Sequence, residues 1–207
     1  MGIADRIILI LTGLVAIYLI GRLVQSLRGD GGRPQIYYLV GFAVLLVAGL
    51  LLAIFGYDAL GFQWVVIVAV LIPGGISLGL IAEYLPRYEK FWLVFMVLGL
   101  IAISITRYVG PPTLATVVLV IVHASAGLIV FGLPIWAVAK QGARAGFLGV
   151  TVGGALIGIG GIALAALKTG SQVLFFSADV VFLILAPLLL IMTLAYTWGF
   201  MKQLRRA

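Results

Sequence analysis

Two ionisable side chains fall inside the long apolar runs of this chain, His123 and Asp179. A charge or imidazole held away from water is costly, so such groups are strong pointers to function. His123 stands in the segment His123-Ala124-Ser125-Ala126-Gly127. Ala126 and Gly127, one helical turn on, leave space beside the ring. A neutral imidazole on a small-residue shelf can serve as the single axial ligand of a chlorophyll-type macrocycle, or as half of a haem site shared with another subunit. It can equally be an interior His bonded to a neighbouring helix, or part of a transport path. All of these remain open.

Asp179 has Lys168 nearby in sequence as a salt-bridge partner, with Ser171 and Ser177 close by. An ion pair at a membrane mouth and a cation- or proton-binding carboxylate are the two readings. Pumps use chains of such groups, and no second carboxylate lies at depth here. Gly75-Ile76-Ser77-Leu78-Gly79 matches the GxSxG pattern of serine hydrolases, whose mechanical meaning is a nucleophile on a sharp strand-to-helix turn. Here it lies within an apolar run. A Ser77–His123 dyad would need the two within hydrogen-bond reach. Their expected depths differ by about 9 Å at a rise of about 1.5 Å per residue.

These residues sit in a membrane protein. The 207 residues are 64% hydrophobic and 9% charged, with mean hydropathy +1.31. Soluble domains are nearer half apolar and a quarter charged. Cys is absent, which excludes disulfides, Cys-ligated metals and thiol nucleophiles, and a single His excludes a bis-histidine haem within one chain. Apolar runs of about 20 residues cross the hydrocarbon as helices. Seven are present: Ile7–Leu27, Ile36–Phe55, Phe62–Ala82, Phe91–Thr106 (extendable to Val109), Leu114–Val138, Ala145–Leu167 and Val173–Met201. Only helices or closed barrels satisfy backbone amides in lipid, and no period-two alternation suggests a barrel. The expected fold is all-α, a polytopic seven-helix bundle forming a single domain, with short loops that leave no room for a soluble domain.

Of the 13 Lys and Arg, ten collect on one side: Arg22, Arg28, Arg33, Arg87, Lys90, Lys140, Arg144, Lys202, Arg205 and Arg206. Arg6, Arg107 and Lys168 lie on the other. Lys and Arg favour cytoplasmic loops, so the N-terminus is expected outside and the C-terminus in the cytoplasm. The formal charge of +7 is then topogenic and calls for no nucleic-acid partner. Tyr37, Tyr38, Tyr84, Tyr88, Trp92, Trp136, Tyr196 and Trp198 are expected in an inner interfacial belt, and Tyr57, Trp64 and Tyr108 in an outer one. The expected location is the cell membrane, as a multi-pass integral protein of a prokaryotic inner membrane.

Glycines mark close packing. Gly149/Gly153 and Gly154/Gly158 are GxxxG pairs on two different stripes of the sixth span, and Gly75/Gly79 repeats the spacing in the third. Pro73 and Pro187 are candidate helix breaks. They occupy the third members of two sets of three spans, consistent with a 3+1+3 parallel pseudo-repeat. Seven spans with an outside N-terminus match the layout of microbial rhodopsins. That family needs a lysine within its seventh helix, and Val173–Met201 has none.

Three function classes follow. The first is a non-catalytic integral subunit of an electron-transfer or light-harvesting assembly, in the bilayer with other membrane subunits or copies of itself, with or without a macrocycle on His123. The second is a small permease or channel for a weakly polar or lipid-like substrate. The third, an intramembrane serine protease using Ser77 and His123, has least support, since paired carboxylates at depth, phosphate loops and metal-ligand clusters are all missing from the sequence.

Overall fold

A computed structural model describes the backbone of residues 1–29, 31–169 and 178–204, and their side chains except 163–169 and 178–179. Among the described residues every regular element is helical: α1 (Ile3–Arg28), α2 (Arg33–Phe55), α3 (Gln63–Ala69), α4 (Leu71–Tyr84), α5 (Glu89–Val109), α6 (Pro112–Lys140), α7 (Leu148–Thr169) and α8 (Ala178–Leu204), with short 3-10 turns at Gly56–Gly61, Pro86–Tyr88 and Ala145–Phe147. Seven helical stretches are long and apolar enough to cross a membrane, α3 and α4 together forming the third.

Local chemistry starts the helices. The Asp5 carboxylate accepts from the Gly2 amide at 2.9 Å and the Gln35 side chain from Gly32 at 2.8 Å, each capping an otherwise free N–H. Pro34 and Pro112 stand in first turns, where a missing N–H costs nothing. The third span is interrupted at Val70, within one turn of Pro73, which lacks the amide that would bond to the Ala69 carbonyl and stands in the first turn of α4. Pro187, by contrast, does not break its helix, since α8 runs through it. A proline removes one backbone bond and strains one turn, and packing on both sides holds that turn in place.

The helices close a ring. α1 packs on α2 and α8, α2 on α4, α4 on α6, α6 on α7, and α7 on α8, while α5 lies outside against α4 and α6. Gly75 of α4 meets α2 at backbone distance, where a Cβ would stand 2.6 Å from the Tyr37 carbonyl oxygen and 2.8 Å from the Gly41 nitrogen. Gly149 of α7 meets α8 in the same way, 2.7 Å from the Ala195 oxygen and 2.9 Å from the Gly199 nitrogen. Gly153 lies under the Tyr196 ring and Gly154 against the Val130–Phe131 backbone of α6, whereas a Cβ at Gly158 would meet nothing within 4 Å among the described residues. Both crossings lie toward one end of the ring, around a core of Tyr38, Phe42, Ile76, Leu80, Phe147, Tyr196 and Phe200.

That core corrects part of the expected aromatic belt. Tyr38 and Tyr196 are buried at 2% and 0% exposure and point into the ring, packed edge-on against Phe200 and Phe42 respectively. Tyr88, Trp136 and Trp198 do face outward at that end, as Trp64 and Tyr108 do at the other.

Candidate functional site

His123 lies on the side of α6 that faces α7. Its Nε2 sits 3.5 Å from where a Gly161 Cβ would be, and the imidazole has no hydrogen-bond partner among the described residues. Gly127, one turn on, shares this face and has open space beside it, as Gly158 has on α7. Ala126 does not belong to the shelf. It is fully buried on the other flank of α6, packed with Val70, Leu78, Met96, Ile103 and Val122. The helical phase explains this: a residue four on from His123 returns to its face, whereas one three on looks about 60° to the other side. A ligand on Nε2 would therefore enter between α6 and α7, bordered by Gly127, Gly158 and Gly161.

Ser77 is fully buried and committed elsewhere. Its hydroxyl donates to the Gly74 carbonyl at 3.0 Å and accepts from the Trp92 indole N–H at 3.0 Å. The GxSxG spacing is thus met on a helix whose glycines admit α2, with a tryptophan of α5 where a catalytic base would stand. The side chains of Asp179 and Lys168 lie outside the described residues. No group of three or more metal-ligating side chains forms among the described residues.

The densest polar arrangement is one that spacing did not reveal. At the end of the bundle rich in Lys and Arg, two adjacent tyrosines of α2 each hold a carboxylate. Tyr37 donates to Glu89 at 3.0 Å, and the Arg33 guanidinium reaches the same oxygen at 3.2 Å. Tyr38 donates to Glu83 at 2.7 Å, whose other oxygen accepts from the Gln203 amide of α8 at 2.9 Å. Glu83 ends α4 and Glu89 starts α5, so the pair fixes the α4–α5 hairpin onto α2 and ties α8 to both. Glu89 is only 4% exposed. A buried carboxylate is tolerable only when bonded to donors and cations, as here.

At the opposite end the Tyr57 hydroxyl donates to the Phe182 carbonyl of α8 at 2.8 Å, with the two rings stacked 4.8 Å apart. Inside the core, the Tyr196 hydroxyl has no hydrogen-bond partner among the described residues. Comparison with protein-family models, curated proteins and solved structures finds no match to this chain.

Proposed function

We propose that the chain is a non-catalytic integral subunit of a larger membrane assembly, of the electron-transfer or light-harvesting kind, with its N-terminus outside and its C-terminus in the cytoplasm. One observation carries the reading: the buried polar residues hold helices or their own turns. Thr12 bonds to the Ile8 carbonyl, Ser77 to Gly74 and Trp92, Glu89 to Tyr37 and Arg33, and Thr193 to the Leu189 carbonyl. Groups engaged in this way are not free to turn over a substrate. The half-buried imidazole of His123 has no such engagement among the described residues, and it is the group that would ligate a chlorophyll-type or haem macrocycle through Nε2.

The test is gentle extraction of the native species, sizing and an absorption spectrum. The reading expects a species larger than one chain, and visible bands, if present, that are lost in His123→Ala. A colourless monomer would overturn it.

A small permease for a weakly polar or lipid-like substrate is the second reading, and the neighbour pattern favours it. Exchanging α1, α2 and α4 for α6, α7 and α8 reproduces the order of contacts around the ring, with α5 as the linking helix. A 3+1+3 parallel repeat, a common transporter design, would have this order, as would any ring of six helices closed in chain order. Against it, every residue from Ile72 to Ile81 is buried in packed core. Uptake of the substrate class into vesicles carrying the purified chain alone would favour this reading over the first.

A further inference from the structure

We infer that the turn between α6 and α7, together with the end of α8, forms a binding site for a phosphate-bearing anionic lipid headgroup. Three cations stand on these segments. Lys140 ends α6, Arg144 leads into the 3-10 turn Ala145–Phe147, and Lys202 lies in the last turn of α8. The turn is fixed. The amides of Gln141 and Ala143 both close onto the Ala137 carbonyl, at 2.9 and 3.1 Å, and Gly142 makes the reversal with φ +67°. Phe147 anchors the far side in the core, fully buried against Tyr84 and Phe200.

Lys202 is brought to this turn by shape. Its Cβ and Cγ lie 3.1 and 2.6 Å from where a Gly146 side chain would begin, so the glycine makes the groove in which the lysine stem runs. Its ammonium then rests 4.3 Å from the centre of the Trp198 ring, and Trp198 is 59% exposed on the outer surface of the bundle. An exposed indole at the end of a membrane helix marks the headgroup level. Among the described residues no carboxylate pairs with any of the three cations, because Glu83 is held by Tyr38 and Gln203, and Glu89 by Tyr37 and Arg33. Unneutralised cations at headgroup depth, beside an aromatic that borders the acyl region, fit a lipid phosphate with net negative charge.

The purified full chain in phosphatidylcholine vesicles is the test material. Quenching of Trp198, taken as the difference between the wild type and Trp198→Phe, is measured with brominated phosphatidylglycerol and with brominated phosphatidylcholine at equal mole fraction. Stronger quenching by phosphatidylglycerol is expected, weakening about fivefold for each cation removed in Lys140→Gln, Arg144→Gln and Lys202→Gln. Lys140 and Arg144 are exposed, so their variants leave the core intact. Gly146→Leu keeps every charge but displaces Lys202, and is expected to reduce the preference. Equal quenching by the two lipids, or a preference that survives all three substitutions, would overturn the site. Displacement of phosphatidylglycerol by millimolar inorganic phosphate would assign the site to free phosphate and overturn the lipid reading.

Discussion

Tyr38 and Glu83, separated by 45 positions in the chain, are joined by a hydroxyl–carboxylate hydrogen bond of 2.7 Å. The phenol that makes it is buried, and its ring covers Gly79 of α4. Tyr38→Phe keeps the ring and removes the donor. Hydrogen bonds to charged groups contribute about 1.5–3 kcal/mol, so this variant is expected to unfold in detergent at clearly lower temperature. An unchanged midpoint would mean that Gln203 alone satisfies the carboxylate.

Tyr196→Phe is expected to do the opposite. Its hydroxyl is buried without a partner among the described residues, and leaving such a group unsatisfied costs about 1–3 kcal/mol. Removing it should leave the melting temperature unchanged or raise it. A fall comparable to that of Tyr38→Phe would point to an ordered water on this phenol.

The glycines separate in the same assay. Gly75→Ala places a methyl group against the backbone of Tyr37 and Gly41, and forcing helices apart in a packed core costs about 1–3 kcal/mol. Gly49→Ala meets nothing within 4 Å and gains helix propensity. The first is expected to destabilise and the second to be neutral or better; equal effects would contradict the close α2–α4 crossing.

Ser77→Ala deprives the Trp92 indole of its acceptor inside the protein. A loss of about 1–3 kcal/mol and a shifted tryptophan emission are expected. The double variant with Trp92→Phe should cost less than the two single losses combined, because both remove one bond. A serine-directed fluorophosphonate is expected not to label the wild type. Labelling that disappears in Ser77→Ala would instead support the hydrolase reading.

Arg33 and Glu89 share one ion pair but should respond unequally. The Arg33 side chain is 68% exposed and that of Glu89 6%. Arg33→Ala is expected to cost about 0–1 kcal/mol, as exposed ion pairs do. Glu89→Ala should cost more, since it also strips Tyr37 of its acceptor. Equal thermal shifts would show that Glu89 is solvated in the folded protein.

The spans were legible because hydrocarbon demands continuous apolar helices, and the expected bounds differ from α1, α2, α5 and α6 by a few residues. Which face of each helix turns inward was not. Lipid and core are equally apolar, so the Tyr38–Phe42–Leu45 stripe of α2 carries no hydrophobic contrast with the lipid-facing Ile36–Val40–Val47 side. Tyrosine suits both an interfacial belt and a wet corner of a core, which is why Tyr38 and Tyr196 could not be separated from Tyr88 by type. The carboxylate pairs were hidden for another reason. Glu83 and Glu89 stand beside turn residues where solvation is the ordinary outcome, and their partners arrive from helices 45 and 52 positions away. His123 was found because its chemistry is unique in the chain, whereas its neighbour Gly161 belongs to a helix whose register with α6 only the fold supplies.

The first and last helices, α1 and α8, lie side by side. During synthesis, the ring therefore stays an open arc until α8 has left the insertion machinery. Until then Phe42 lacks the Tyr196 and Phe200 rings that later pack against it, and Glu83 lacks the amide of Gln203. Closure of the ring in that sense waits for α8, and a chain lacking α8 would present to lipid the surface on which it seats.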